Sequence, residues 1–144
     1  MGADRFRTII RTYYRNVHGF ILLYDISRRD SFLNLDNYLR QIHDYAKFQP
    51  KIILVGNKTD LESKREVSYE DGINFAQTHN LIFIETSVKQ NINIENVFNS
   101  LTAEILNTPE LVNRGVRPSS TKTQPPIKLI NPVIFKENAP KCCK

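Results

Sequence analysis

Three short apolar runs, separated by amphipathic stretches, limit most strongly what this chain of 144 residues can fold into. The runs span residues 19–24, 51–56 and 81–84 and are rich in Ile, Leu, Val and Phe. Continuous apolar runs of this length are typical of strands that are buried on both faces, as in a parallel sheet. Because helical patterns alternate with them, the sequence predicts a doubly wound α/β fold with right-handed crossovers.

Four helices are predicted around these strands, and one of them precedes the first strand. The next helix follows apolar positions over residues 32–46, with Asp30 or Ser31 as its N-cap. The third begins at Ser68, which forms with Asp71 a pattern similar to a capping box. The last helix is capped by Asn93, and its apolar residues are Ile94, Val97, Phe98, Leu101 and Ile105.

The run over residues 19–24 has no polar face, so we expect it to be a central strand of the sheet. Three parallel strands normally have neighbours on both edges. Nothing else in this sequence is placed to pair with the other edge of the first strand. The sequence therefore predicts a sheet whose first strand has one partner within the chain.

Charge and proline both divide the chain near Asn107. Residues 1–106 carry 13 Lys/Arg and 13 Asp/Glu, whereas residues 107–144 hold the entire net charge of +5 and six of the seven prolines. We predict a domain over residues 1–106 and a basic, proline-rich tail over residues 107–144. The apolar segment at residues 127–135 is interpreted as residual apolar content, and a docking segment for a partner groove is the alternative. Because the basic surplus lies on the tail and no recognition motif is present, no nucleic-acid partner is expected.

Polar residues follow the second and third strands at the edge where open α/β sheets bind ligands. Asn57, Lys58 and Asp60 follow one strand, and Ser87 and Lys89 follow the next. The Asp60 carboxylate can accept two hydrogen bonds from the N1–H and amino groups of guanine, a pair of donors that adenine lacks. Lys58 can lie along the purine ring, and the loop with Ser87 can offer backbone N–H groups to the guanine carbonyl. A solvated turn is the alternative interpretation.

These motifs occur together with further segments that identify a family. The segments are RFRTI at residues 5–9, YYR at 13–15, ILLYD at 21–25, VGNKTDL at 55–61 and ETSVK at 85–89. With them, the sequence resembles the Rab branch of the Ras-like small GTPases. The resemblance implies the C-terminal part of a P-loop GTPase domain, with three mainly parallel strands, flanking helices and a flexible tail. It also implies GTP or GDP as ligand and a guanine-binding set of Asn57, Lys58, Asp60, Leu61, Ser87, Val88 and Lys89.

The resemblance starts part-way through the family's domain. The sequence contains no GxxxxGK[ST] phosphate-binding loop and no switch I. Gly2 matches the glycine beside the γ-phosphate, and Ala3 stands where the family has its water-positioning Gln. We therefore expect no catalytic residue, no Mg²⁺ site and weak or absent GTP/GDP binding in this chain.

The sequence is compatible with two functions. One is a Rab-type GTPase of vesicle traffic whose sequence was read from an internal Met. The other is a short, non-enzymatic, membrane-tethered pseudo-GTPase that acts as a binding module. The effector surface implied by the family resemblance consists of Phe6, Ile9, Tyr13 and Tyr14, although these residues could equally serve to cover the sheet.

The only cysteines, Cys142 and Cys143, lie next to the last residue. Two free thiols are one interpretation, but on a Rab-like body this ending resembles a double geranylgeranylation site. The resemblance implies the Rab escort and prenylation machinery as partners, and attachment to the cytoplasmic face of intracellular membranes, with a further pool in the cytosol. No metal site is expected, since His18, His43 and His79 lack ligand spacing.

Overall fold

The computed structural model describes residues 13–15 and 17–112, without the side chains of the last two. Gly2, Ala3, Phe6, Ile9, Cys142, Cys143 and the tail from residue 113 onward lie outside the described residues. Residues 13–15 are helical. The elements that follow are β1 (Gly19–Asp25), α1 (Arg29–Leu33), α2 (Leu35–Tyr45), β2 (Lys51–Asn57), a 3₁₀ helix (Thr59–Lys64), α3 (Tyr69–Thr78), β3 (Ile82–Thr86), α4 (Ile94–Leu106) and α5 (Pro109–Val112).

The three strands form one parallel sheet in the order β1-β2-β3. Gly19 is opposite Lys51 at the start of β1, and Asn57 at the end of β2 is opposite both Asp25 and Thr86. All three strands therefore finish at the same edge of the sheet. The predicted α/β fold with three parallel strands and flanking helices is confirmed.

One face of the sheet carries the larger hydrophobic core, beneath α1, α2 and α3. Leu22 and Tyr24 of β1 and Leu54 of β2 point to this side and are buried with residues of the helices and loops. The remaining buried members of this core are Ile26, Leu35, Leu39, Val67 and Ala76. Because side chains alternate along a strand, Ile53 and Val55, the neighbours of Leu54 in β2, point to the opposite face of the sheet.

The second face is covered by α4. Ile53 and Val55 of β2 pack there against Val97 of α4. Gly19 allows the end of this helix to approach β1, because a Cβ at that position would lie 2.8 Å from Ile105 Cδ1. With helices on both faces, β2 becomes the most buried strand, as expected for the centre of a parallel sheet.

β1 departs from the expectation that it is buried on both faces. Within the described residues it pairs with β2 alone, as the sequence predicts, and occupies an edge of the sheet. Ile21 and Leu23, which point to the α4 side, keep 37% and 55% of their surface exposed. The expectation was wrong for this face, because α4 lies mainly over β2 and reaches β1 near Gly19.

The single helix predicted over residues 32–46 is two helices, which meet at Asn34. Asp30 and Ser31 lie inside α1 and are not N-caps; the N-cap position is Arg28. The Ser31 hydroxyl instead accepts a hydrogen bond from the backbone N–H of Asp25 (3.0 Å) and donates to the Arg28 carbonyl (2.7 Å). The serine therefore fastens α1 to the end of β1, and the prediction of its capping role was wrong.

The start of α3 confirms the capping box. The Asp71 N–H donates to Ser68 Oγ (3.0 Å), and the Ser68 N–H donates to Asp71 Oδ2 (3.3 Å). At α4 the N-cap position is Asn93 as predicted, but its side chain does not cap the helix and donates to the Glu85 carbonyl (2.9 Å). Phe98 of this helix is 58% exposed, so its placement on the apolar face was wrong.

None of the helices in the described part of the chain is long and apolar enough to cross a membrane.

Candidate functional site

The predicted base-binding residues lie together at the carboxyl edge of the sheet. Asn57 is the last residue of β2, and Lys58 follows it with a left-handed backbone (φ 71°) that turns the chain into the 3₁₀ helix. Asp60 and Leu61 belong to that helix. The second set, Ser87, Val88 and Lys89, directly follows β3. Because β2 and β3 are paired up to Asn57, the two loops are neighbours, as the sequence predicts.

The two loops are joined by a hydrogen bond between their central residues. The Ser87 hydroxyl donates to Asp60 Oδ1 at 2.6 Å, and Ser87 is completely buried. A carboxylate has about four lone-pair sites, so this bond leaves acceptors on both oxygens of Asp60. No hydrogen-bond partner of Asp60 Oδ2 is present among residues 13–15 and 17–112. The carboxylate is thus oriented by one contact and still able to accept others.

Asn57 connects β2 to β3 through its side chain. Its Oδ1 accepts a hydrogen bond from the Thr86 hydroxyl at 3.1 Å, and Thr86 is buried. The amide therefore has its oxygen directed at the neighbouring strand, and no partner of its two N–H donors is found in the described part of the chain, so they can meet the edge of a ligand. This contact holds the end of β2 to the end of β3, directly before the loop with Ser87.

Lys58 ties the end of β1 to the same loop. Its Nζ lies 2.6 Å from Asp25 Oδ2, and the Ser27 hydroxyl donates to Asp25 Oδ1 at 2.7 Å. Burial raises the pKa of the Asp25 carboxyl, but the hydrogen bonds from Lys58 and Ser27 outweigh it, so the pKa lies below its ordinary value. All three strand ends are thereby linked by polar side chains.

The loop after β3 is a tight turn closed on itself. Ser87 and Ile92 exchange two backbone hydrogen bonds (3.2 and 2.9 Å), and the Gln90 N–H donates to Ser87 Oγ (3.1 Å). Val88 and Lys89 are exposed at its tip. Ser87 is therefore a structural anchor, while the next two residues face the solvent where a ligand could contact them.

The arrangement is chemically suited to a planar group with adjacent N–H donors and a carbonyl. A fixed carboxylate accepts from paired donors, and the exposed backbone and side chain of Lys89 lie in the neighbouring loop. Hydrogen bonds to an ionised acceptor are about twice as strong as neutral ones, so Asp60 would dominate the selectivity of such a site.

Arg65 and Glu85 are structural partners of this site to which the sequence analysis assigned no role. The Arg65 guanidinium forms an ion pair with Glu85 (2.7 Å) and with Glu62 (2.7 Å). Hydrogen bonding from Arg65 holds the pKa of the Glu62 carboxyl below its ordinary value. A charged Glu85 within an otherwise apolar strand segment was the available signal, because such a residue is rarely buried without a partner.

Of the four residues of the expected effector surface, the structure describes Tyr13 and Tyr14, and these two differ in exposure. Tyr13 is 72% exposed, so it is available for contact. The Tyr14 ring instead packs on Phe20 (5.1 Å between ring centroids) and on Tyr45 (6.3 Å). Burial raises the Tyr14 pKa, with a smaller contribution from Tyr38. For Tyr14 the structure therefore favours the alternative in which it covers the fold.

A shallow hollow of about 310 Å³ lies away from the strand ends, between α2 and the end of α3. Its lining includes Asp36, His43 and His79, and the His79 imidazole is 3.4 Å from the Asp36 carboxylate. Across the residues that the structure describes, no group of three or more His, Cys, Asp or Glu side chains is placed to hold a metal ion.

Comparison with known proteins identifies the family. The sequence profile of the Ras family matches residues 1–107. The Ras-related protein RABC1 of Arabidopsis thaliana is 45% identical over 116 residues, which cover 79% of this chain and 55% of the relative. The Ras-related protein Rab-8A of Bos taurus is 40% identical over 125 residues, which cover 81% of this chain and 60% of the relative. The chain thus spans little more than half the length of these relatives, and it belongs to the Ras family as a Rab-like member.

Proposed function

We propose that the carboxyl edge of β2 and β3 binds the base of a guanine nucleotide. The observation that carries the proposal is the hydrogen bond from Ser87 Oγ to Asp60 Oδ1, which orients the carboxylate at the strand ends. Asp60 would accept from the N1–H and amino groups of the base, and the exposed loop with Val88 and Lys89 would meet its carbonyl. Membership of the Ras family supports GTP or GDP as the nucleotide.

This chain supplies few of the contacts that would bind the phosphate groups of the nucleotide. The sequence has no GxxxxGK[ST] loop, so the backbone nest, the lysine and the Mg²⁺ ligand of that motif are not supplied by its residues. A base of roughly eleven non-hydrogen atoms, at about 0.3 kcal/mol per atom, gives a Kd on the order of millimolar. We expect weak GTP and GDP binding, and no measurable GTP hydrolysis by this chain.

Ligand-observed NMR of GDP and ADP with the 144-residue chain tests the base site. GDP signals should respond to the protein and ADP signals should not. Asp60→Ala should abolish the GDP response, whereas Asp44→Ala, which removes an exposed carboxylate on α2, should leave it unchanged. An equal response to ADP, or an unchanged response of the Asp60→Ala variant, would contradict the proposal.

We further propose that the chain acts in vesicle traffic on intracellular membranes and is anchored through lipids on Cys142 and Cys143. Family membership and the paired cysteines after a tail with a net charge of +5 support this role. Two lipid chains anchor stably where one is marginal, and tail lysines add attraction to anionic lipid. Rab escort and prenylation proteins would be the partners that recognise the chain.

Membrane fractionation of cells that express the chain tests the anchor. Replacing both cysteines by Ser should move the protein to the cytosol, and replacing only Cys143 should weaken retention. A double variant that stays on membranes would exclude the lipid anchor. If the anchored chain shows no GDP response, the non-enzymatic, membrane-tethered binding module becomes the better description.

A further inference from the structure

The guanidinium of Arg65 uses all of its hydrogen-bonding capacity within the described structure. Its Nε–H donates to the Glu62 carboxylate at 2.9 Å, and Nη2 donates to both Glu62 Oε2 (2.7 Å) and Glu85 Oε2 (3.0 Å). Nη1 donates to Glu85 Oε1 (2.7 Å) and to the Val67 carbonyl (3.1 Å). An arginine has five N–H donors, so every one has a partner.

The two carboxylates lie close in sequence to the two loops of the proposed base site, which are the loop with Asp60 and the loop with Ser87 (the base loops). Glu62 lies in the 3₁₀ helix two residues after Asp60, and Glu85 lies on β3 two residues before Ser87. Arg65 therefore bridges the same two segments that the Ser87–Asp60 hydrogen bond joins. Glu85 is also opposite Gly56 in the sheet, directly before Asn57, which places the bridge beneath both loops.

The Glu85 half of this bridge is shielded from water, whereas the Glu62 side chain is 68% exposed. The side chains of Arg65 and Glu85 are only 17% and 15% exposed. This ion pair resists separation, because without Arg65 the shielded Glu85 carboxylate would have no counter-charge among the described residues. The hydrogen bonds with Glu85, followed by those with Glu62, raise the pKa of Arg65, so the guanidinium stays charged over the whole working range of pH.

We propose that Arg65 is the positioning residue of the base site, holding the Asp60 loop and the Ser87 loop at the spacing that guanine requires. The inference rests on the proposed function for its ligand, but the effect of Arg65 on the two loops can be measured without nucleotide. Lysine cannot replace the arginine, since an ammonium has three donors and no planar fork to bridge two carboxylates.

The chain provides a matched control. Arg29 forms an ion pair of similar length with Asp71 (2.5 Å), but both side chains are more exposed and neither belongs to a base loop. The variants to compare are thus Arg65→Lys, Arg65→Ala and Arg29→Ala. Arg65→Lys keeps the charge and the bulk of the side chain, so it serves as the decisive variant if Arg65→Ala does not fold.

Hydrogen exchange of backbone amides in the 144-residue chain is the first readout. In Arg65→Lys, exchange should accelerate about tenfold at Leu61, Ser87 and Ile92, the amides that close the two loops. Exchange in the buried part of β2 should change little. Arg29→Ala should leave all these amides close to the parent chain. An acceleration that spreads evenly over the sheet, or that Arg29→Ala reproduces, would overturn the inference.

GDP and ADP affinities measured by NMR form the second readout. Arg65→Lys should weaken GDP binding about fivefold with unchanged response to ADP, whereas Arg29→Ala should match the parent chain. Unchanged GDP affinity in Arg65→Lys would overturn the inference. If the parent chain itself ignores GDP, the proposed function fails, and the exchange pattern alone decides whether Arg65 holds the loops.

Discussion

The Ser87 hydroxyl donates a 2.6 Å hydrogen bond to Asp60 Oδ1 across a sequence separation of 27 residues. Both residues stand where a parallel strand ends, and Ser87 is fully buried, so the bond is protected from competition by water. The orientation of the Asp60 carboxylate is therefore a property of the folded chain alone. Such preorganisation lowers the cost of binding a flat ligand at this edge.

Ser87→Ala should reduce GDP affinity without unfolding the chain. The substitution removes one hydrogen bond to a carboxylate and allows Asp60 to rotate, which we expect to weaken binding about threefold to tenfold. Titration followed by ligand NMR measures the effect. Ser63→Ala, at an exposed position of the 3₁₀ helix, is the control and should bind GDP like the parent chain.

Asp60→Asn should change which base is preferred. An amide has an oxygen acceptor and an NH₂ donor where the carboxylate has two acceptors. Its NH₂ group would therefore face the amino group of guanine, which is also a donor, whereas the same NH₂ group can donate to the carbonyl that xanthine has at this position. We expect GDP binding to fall at least about tenfold and xanthosine diphosphate binding to gain. Competition between GDP and xanthosine diphosphate for the variant measures this change of base preference. An Asp60→Asn variant that still prefers GDP would mean that Asp60 does not read the base.

The sequence was sufficient to predict the parallel sheet and the position of two polar loops at the ends of β2 and β3. Strand burial and strand ends are local features, and the polar residues after β2 and β3 follow directly in the chain. The sequence could indicate that Glu85 has a partner but not that the partner is Arg65, because the two lie 20 residues apart and the bond depends on tertiary packing. The exposure of Phe98 was missed for a related reason, since helical periodicity cannot show how much of a face its neighbours cover.

Gly72→Ala should destabilise the fold. A Cβ at this position would lie 2.5 Å from Phe83 Cζ and 2.6 Å from Tyr24 Oη. Tyr24 already packs closely on Gly56 of β2, since a Cβ built there would lie 2.8 Å from Tyr24 Oη, so the tyrosine has little room to retreat in that direction. Overpacking of about 1–3 kcal/mol then exceeds the gain of about 1 kcal/mol in helix propensity.

Thermal unfolding measures this loss of stability. The midpoint of these values is a net loss of about 1 kcal/mol, which lowers the Tm of a domain of this size by roughly 4–8 °C. Gln77→Ala, at an exposed position of the same helix, is the matched control and should change the stability by less than about 0.5 kcal/mol. Equal Tm values for Gly72→Ala and Gln77→Ala would contradict the prediction and would mean that Phe83 and Tyr24 shift to accommodate the added methyl group.

The stability of the chain should fall in acid partly through Asp25. Its pKa is lowered in the fold, so the stabilisation is complete above the ordinary carboxyl pKa of about 4 and is lost as the pH drops through the lowered value. Urea unfolding at pH 7, 5 and 3 measures this dependence. Asp25→Asn should be less stable than the parent at pH 7, and the difference should shrink towards pH 3. Asp44→Asn should follow the parent at each pH.

Protein-observed ¹H–¹⁵N NMR with guanosine, which carries no phosphate, isolates the contacts made to the base. We predict shifts that saturate and are concentrated at Asn57, Asp60 and the Ser87–Lys89 loop, with adenosine producing none of them. Shifts scattered over other surfaces, or identical shifts with adenosine, would contradict a guanine site at the carboxyl edge of β2 and β3.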